Sequence, residues 1–329
     1  KGDGPENDIE KDLSERELGS HEVGYAFVGA EDARALVGTI VLRMPVPVYR
    51  AAPAPDTERW LRINPPLVVE WLVRFLRAEF SQRGFDRAVI GLSGGVDSAV
   101  SAALAARAFG GENVLAVRMP YRLSSPESLS DAELVADHFG LRCETVDMTA
   151  MVDGYWCEAR ENGDSLRLGN VCARCRMTVL YDLSARDRAL PVGTSNKTER
   201  LMGYYTWHAD DAPAVNPLGD LFKTQVWAVA RELGVPERVV SKPPTADLVP
   251  GQTDEGDFGL DYATVDAILI QLVRGNPASK LVEWGFDKGA VATVLRRLEG
   301  THWKRRLPTS AMVSDTAVNE YYLRPVDDR

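Results

Sequence analysis

Asp97 and Glu199 are carboxylates set where anions would bind, and that pairing is the chemical starting point. Asp97 lies in Val89-Ile90-Gly91-Leu92-Ser93-Gly94-Gly95-Val96-Asp97-Ser98. The apolar half reads as a buried strand, Ala88 to Leu92. The glycine-rich half reads as a turn opening a helix, Ala99 to Ala108. Gly94 and Gly95 let the backbone turn sharply and approach a charged ligand closely. The N–H groups of such a turn, with those of Val96 and the first helical turn, have no intrahelical partner and point at an anion. Ser93 and Ser98 add hydroxyl donors. Asp97 would repel a phosphate unless Mg2+ bridges the two. These residues describe a pyrophosphate cradle with a metal ligand built in. A Walker loop is excluded, because the residue before Ser98 is Asp97 rather than Lys. The plain alternative is a strand–turn–helix junction of small residues.

Glu199 closes a second strand–loop–helix, Gly193-Thr194-Ser195-Asn196-Lys197-Thr198-Glu199. Ser195 or Asn196 can cap the helix that carries Glu199. A carboxylate in a first helical turn is stabilised by the helix dipole, so helix-end electrostatics alone would account for it. With Asp97 at the end of a neighbouring strand, a two-carboxylate Mg2+ site is the stronger reading. Further segments carry polar chemistry. In Gly169-Asn170-Val171-Cys172-Ala173-Arg174-Cys175-Arg176-Met177 the two arginines are two apart and diverge on a helix. Asn216-Pro217-Leu218-Gly219-Asp220-Leu221-Phe222-Lys223 is a turn that places Lys223 to meet a phosphate. Lys242-Pro243-Pro244-Thr245-Ala246-Asp247-Leu248 and Gly251-Gln252-Thr253-Asp254-Glu255 suit a site wall or lid. His302-Trp303-Lys304-Arg305-Arg306-Leu307-Pro308 is a basic cluster in an acidic chain. A solvated lysine and a free basic segment are the bland readings of Lys223 and of that cluster.

The elements that must position these groups alternate. A helix begins at Asn64-Pro65-Pro66, with Leu67, Val68, Trp71, Leu72, Phe75 and Leu76 as its buried stripe. Strands are predicted at Ala88–Leu92, Val114–Met119, Arg142–Asp147 and Ala189–Gly193, and helices to Phe109, at Asp131–Phe139 and at Val171–Arg186. This alternation predicts an α/β fold, a doubly wound, mostly parallel sheet with helices on both faces. Its ligand belongs at the carboxyl ends of the strands.

The chain has 329 residues, a net charge of -10, 45% hydrophobic and 26% charged residues. That balance is ordinary for a globular protein and argues against broad binding to nucleic-acid phosphates. No run of about 18 apolar residues predicts a membrane span. The acidic start is unlike a signal peptide, and four cysteines are too few for a disulfide scaffold, so a cytoplasmic protein is expected. Cys172 and Cys175 share a helix face, which fits packing, metal binding or redox chemistry. Residues 1–58 read as a partly flexible extension and linker, 59–310 as one domain, and 311–329 as a tail.

Taken in order, SGGVDS, GNV-x-AR-x-RM, GTSNKTE, NPLGDL-x-KTQV, KPPTADL, GQTDE and KRRLP resemble the ammonia-dependent NAD synthetases, within the N-type ATP pyrophosphatases. The resemblance covers roughly residues 60 to 310 and implies the adenine-nucleotide alpha-hydrolase-like form of the fold. It implies that ATP adenylates the nicotinate carboxylate of deamido-NAD, releasing pyrophosphate, and that ammonia then displaces AMP. By motif, Ser93, Gly94, Gly95, Val96 and Ser98 hold pyrophosphate, and Asp97 and Glu199 bind Mg2+. Thr194, Lys223 and Thr245 contact ATP. Asn170, Arg174, Trp207, Asp210, Lys304 and Arg305 belong to the deamido-NAD site. Asp97, Glu199 and Lys223 are the catalytic set. A homodimer with that site at the subunit interface is implied, and any use of glutamine needs a separate glutaminase partner. Two stretches depart from the pattern. Trp207 stands where a Lys is expected and Ala214 where an Asp falls, and Trp303 separates His302 from Lys304. Two rivals stay open: an ATP-pyrophosphatase-type ligase or sulfurtransferase acting on another carboxylate or on tRNA, and a catalytically silent nucleotide-binding protein.

Overall fold

The computed structural model describes residues 57–156, 165–245, 253–306 and 311. The expected extension up to residue 56, Cys157, Ala246 to Leu248, Gly251-Gln252, Leu307-Pro308 and nearly all of the tail lie outside them.

Four short parallel strands form the sheet: β1 (Ala88–Gly91), β2 (Val114–Arg118), β3 (Arg142–Thr145) and β4 (Leu190–Pro191), in the order β3-β2-β1-β4. The register pairs Ala88 with Val114 on one side and with Leu190 on the other. The strands alternate. Ala88, Ile90, Val114 and Ala116 face one core, and Val89, Leu115 and Val117 face another. Both faces are covered, which is why β1 and the first four residues of β2 are apolar, whereas the edge strand β3 (Arg142–Thr145) is polar and largely exposed. The first face is covered by α2 (Pro65–Gln82), α3 (Val96–Phe109), α4 (Pro126–His138) and α8 (Lys223–Leu233), and the second by α5 (Thr149–Trp156) and α6 (Ser165–Asp187). A third cluster joins α7 (Lys197–Met202), α10 (Asp254–Phe258), α11 (Tyr262–Val273), α12 (Ala278–Glu283) and α13 (Lys288–Gly300), and Trp60 and Leu61 of α1 (Thr57–Leu61) pack on it. One further short helix, α9, spans Glu237–Val240.

The chain runs outward from β1 to β2 and β3, then returns to add β4 on the other side of β1. The strand order therefore reverses beside β1, and the crevice beyond the carboxyl ends of β1 and β4 is where such sheets bind ligands. The helices that follow these two strands, α3 and α7, carry Asp97 and Glu199 in their first turns.

Several boundaries differ from expectation. The stripe of α2 is Val69, Leu72, Val73, Leu76 and Phe80, whereas Leu67 and Trp71 are exposed. Spacing of three and four from Val69 defines the buried face, and Leu67 and Trp71 lie off it. Helix α4 starts at Pro126 rather than Asp131, because Ser125 caps it and proline suits the first turn. Strand β3 stops at Thr145, two residues short of the expected end. Helix α3 starts at Val96, directly after Gly95, which puts Asp97 in its first turn.

Candidate active site

The turn after β1 is built by Gly94. Its φ is +80°, and a Cβ there would lie 2.2 Å from the Ser128 carbonyl oxygen. Only glycine satisfies both demands. Ser93 Oγ and Ser98 Oγ lie 3.0 Å apart, Gly95 N–H donates to Ser93 Oγ at 3.3 Å, and Ser98 Oγ donates to the Gly95 carbonyl at 2.9 Å. These bonds hold the loop open, with the N-terminus of α3 facing the crevice.

The turn after β4 is tied to the same place. Ser101 of α3 donates to the Gly193 carbonyl at 3.0 Å, and Asn216 Nδ2 donates to the Ser195 carbonyl at 2.8 Å. Asn196 caps α7. Its Oδ1 accepts Glu199 N–H at 2.9 Å, while Glu199 Oε2 accepts Asn196 N–H at 3.2 Å. This capping box fixes the Glu199 side chain. Asn196 Nδ2 also donates to Asp97 Oδ1 at 2.8 Å. One asparagine therefore orients both carboxylates.

Lys223 completes the group. Its ammonium donates to Asp97 Oδ2, lies 3.8 Å from Glu199 Oε1 and 5.1 Å from the centroid of the Tyr262 ring. The side chain is 2% exposed. Burial works against its charge, but Asp97 and Glu199 outweigh that and hold the Lys223 pKa above its ordinary value. Burial, then the like charge of Asp97, pushes the Glu199 carboxyl well above the usual range. Thr198 links this centre to the core, since its Oγ1 donates to Asp266 Oδ1 at 2.5 Å and accepts Lys223 N–H at 2.9 Å.

A cleft of about 330 Å³ opens on these residues. Its walls include Ser93, Gly95, Val96, Asp97, Ser98, Thr194, Glu199, Asp210, Lys223 and Thr245, all expected at the site. Gly94 does not line it; Gly94 packs back against Ser128 and Asp131 and shapes the turn from behind. Residues not singled out as ligands also line it, among them Lys242, Arg176, Tyr204 and Asp254. Lys242 is held by Asp131, a fully buried carboxylate 2.8 Å from its ammonium. Arg174 and Arg176 diverge as their spacing predicts: Arg174 donates to the Trp207 carbonyl at 3.2 Å, and Arg176 to the Met119 carbonyl at 3.3 Å.

Asn170, Arg174, Trp207, Lys304 and Arg305 are not brought to the cleft wall. Asn170 Oδ1 accepts the Thr206 hydroxyl at 2.8 Å. Trp207 stacks on His208, with ring centroids 4.0 Å apart, and meets the edge of Trp303 at 5.1 Å. Lys304 Nζ donates to the Gly203 and Tyr205 carbonyls, each at 2.9 Å. Arg305 donates to the Leu298 carbonyl at 2.7 Å and the Leu201 carbonyl at 3.1 Å. The basic cluster thus ties the ends of α7 and α13 together through orphan carbonyls. Neither bland reading, a solvated Lys223 or a free basic segment, describes these residues.

Cys172 is buried in the second core and Cys175 packs beside it. Burial pushes both thiols up, as for packing residues rather than reactive ones. Among the described residues no three His, Cys, Asp or Glu side chains converge to hold a metal ion on their own. Mg2+ does not require that. It is usually held by one or two carboxylates, with phosphate oxygens and water completing the shell. Asp97 and Glu199, already gathered around one cation, fit that donor set.

Fold and site together define a nucleotide-binding α/β enzyme. Residues 68–308 match the family model for NAD synthase. The chain is 48% identical over 255 residues to the NH(3)-dependent NAD(+) synthetase of Chlorobium phaeobacteroides strain BS1, covering 77% of this chain and 92% of the relative. It is 44% identical over 254 residues to that of Fusobacterium nucleatum subsp. nucleatum, covering 77% of this chain and 98% of the relative. The NH3-dependent NAD synthetase of Campylobacter jejuni, solved with a nitrate ion, superposes with a TM-score of 0.66 at 30% identity, covering 76% of this chain and all of that one. An NMN synthetase from Francisella tularensis superposes with a TM-score of 0.68 at 28% identity, covering 76% and 99% of the two chains. The chain belongs to the NAD synthase family.

Proposed function

We propose that this protein is an ammonia-dependent NAD synthetase, a ligase that converts deamido-NAD, ATP and ammonia into NAD, AMP and pyrophosphate. The observation that carries the reading is the meeting of Asp97, Glu199 and Lys223 in one cleft at the switch point of the sheet. A free carboxylate resists amidation because its leaving group would be oxide. Attack of a nicotinate oxygen on the α-phosphorus of ATP makes AMP the leaving group and breaks the bond to pyrophosphate. Ammonia then adds to the acyl carbon and the C–O bond to AMP breaks.

No nucleophilic side chain is needed, so the residues act by position and charge. The Gly95 turn, Ser93, Ser98 and the first turn of α3 present donors to the departing pyrophosphate. Lys223 supplies a cation with little water around it, where its field is strong. Asp97 and Glu199 would hold Mg2+, which when bound neutralises pyrophosphate charge. Thr194 and Thr245 line the same cleft and are assigned to ATP. Asp210, three residues after Trp207, lines the cleft and is assigned to the nicotinate end. The assignment of Asn170, Arg174, Lys304 and Arg305 to deamido-NAD rests on the motif resemblance, and so does a homodimer that completes the site. Ammonia reaches the enzyme free or from a separate glutaminase, and the setting is cytoplasmic. No helix among the described residues is long and apolar enough to cross a membrane.

The test is purified protein with ATP, Mg2+, ammonium and deamido-NAD. Equal amounts of NAD, AMP and pyrophosphate are expected. Release of ADP and phosphate, or pyrophosphate release that requires a different acid, contradicts the reading.

A further inference from the structure

Asp254, at the start of α10, lines the cleft and carries a buried carboxylate oxygen without a hydrogen-bond partner among the described residues. It is 5% exposed. The Tyr262 hydroxyl donates to its Oδ2 at 2.8 Å, and the Tyr204 hydroxyl, which donates to Asp257 Oδ2 at 2.6 Å, also faces this carboxylate, while Oδ1 is buried with no donor in hydrogen-bonding geometry. A buried acceptor without a donor is costly, so such an atom calls for a partner that arrives. Lys223 is the cation that acts most strongly on this carboxylate. The Lys223 ammonium lies 5.1 Å from the centroid of the Tyr262 ring, and that ring carries the hydroxyl anchoring Asp254.

An ammonium has three N–H donors. Lys223 directs them toward Asp97 and Glu199, the two carboxylates assigned to Mg2+. A divalent cation on that pair would repel an ammonium bound to the same oxygens. Lys223 cannot escape to water, because its side chain is 2% exposed. It must keep its charge to act on phosphates, so it needs another carboxylate within reach.

We propose that Asp254 receives the Lys223 ammonium through Oδ1 when a divalent cation occupies Asp97 and Glu199, and so holds it aimed at the phosphates. Asp254 is then a positioning residue acting through Lys223 rather than a metal ligand, which agrees with the absence of a three-carboxylate cluster among the described residues. The electrostatics point the same way: burial raises the Asp254 pKa, and Lys223 is the first group to oppose that rise. The proposal rests on the assignment of Asp97 and Glu199 to the metal.

The test measures Mn2+ binding by electron paramagnetic resonance in the presence of α,β-methylene-ATP, so that no turnover is involved. It compares the unsubstituted protein with Asp254→Asn, Lys223→Met and the double variant. Asparagine keeps an acceptor for Tyr262. Asp254→Asn is expected to weaken Mn2+ binding at least about tenfold with Lys223 present and less than about threefold in the Lys223→Met background, the signature of residues acting through one another. Tyr262→Phe, which frees the carboxylate from its anchor, gives a smaller loss with the same dependence on Lys223, and serves if Asp254→Asn fails to fold. Equal losses in both backgrounds, as for a direct metal ligand, overturn the proposal, and so does no loss with Lys223 present. Asp97→Asn separates the two levels: unchanged Mn2+ binding in that variant overturns the metal assignment itself.

Discussion

Asn196 holds Asp97 Oδ1 through its side-chain amide at 2.8 Å while its own Oδ1 caps the Glu199 N–H at 2.9 Å. A helix cap and an active-site strut are therefore one residue. Replacing it separates the two roles. Asn196→Ser keeps a capping oxygen but is too short to reach Asp97, so stability should change by no more than about 1–2 kcal/mol. With Asp97 left to Lys223 alone and its Oδ1 no longer held, kcat/KM should fall at least about tenfold. Chemical denaturation and steady-state kinetics check the pair. A loss of stability with unchanged kinetics would leave Asn196 as a cap alone.

Gly94 and Gly95 are adjacent but do different work. Gly94→Ala places a Cβ 2.2 Å from the Ser128 carbonyl at a φ of +80°. Neither strain can be relieved by a side-chain rotation, so a loss of about 2–4 kcal/mol is expected by urea denaturation. Gly95 has ordinary φ and ψ of -92° and 160°, and its Cβ would meet only Ser93 Oγ at 3.4 Å. Gly95→Ala should cost less than about 1 kcal/mol and raise the KM for ATP, because the new methyl stands at the cleft wall. Equal destabilisation by the two variants would contradict this division.

Asp266 gives the fold a pH dependence with a definite sign. The carboxyl is fully buried and accepts from Thr198 Oγ1 and Thr224 N–H. Burial pushes its pKa to about 6, against an ordinary 3.8. A carboxyl raised in the folded state favours folding while protonated. That contribution is fully present below about pH 4 and is lost as pH rises through about 6, for a total of about 3 kcal/mol. Asp266→Asn removes the titration. The stability difference between wild type and variant should therefore shift in favour of the variant between pH 4 and 6, as followed by urea denaturation. Parallel pH curves for the two proteins would contradict it.

Trp207 stands against His208 and Trp303, off the cleft wall that carries the phosphate-binding turn. Asp210, three residues on, lines the cleft. Trp207→Ala should raise the KM for deamido-NAD several-fold and leave that for ATP nearly unchanged, because it removes ring contact without touching the cradle. Equal rises for both substrates would place Trp207 in the scaffold instead.

The sequence made the centre of the fold legible because local and tertiary signals agree there. The apolar run before Ser93 cannot be other than a covered strand, and Gly94 has no other reason to precede Gly95 at a helix start. Asn196 and Glu199 have capping-box spacing, so their geometry follows from three residues of sequence. Leu67 and Trp71 match the composition of a buried face on α2 but not its phase, so composition puts them in a stripe that phase excludes. Asp254 was legible as part of a loop motif only. Its role depends on Tyr262 and Lys223, and spacing along the chain does not reveal an approach made by separate helices. Lys304 and Arg305 read as ligand-binding cations because charge is visible in sequence, whereas the carbonyls they satisfy at the ends of α7 and α13 are not.

The proposed activity turns on one step, attack by a carboxylate oxygen of deamido-NAD on the α-phosphorus of ATP in this cleft. The most direct test uses deamido-NAD labelled with oxygen-18 in its nicotinate carboxylate, turned over with ATP, Mg2+ and ammonium. One labelled oxygen is expected in the AMP, the other in the amide of NAD, and none in pyrophosphate, as read by mass spectrometry. Label in pyrophosphate or phosphate, or NAD formed without label reaching AMP, would contradict it.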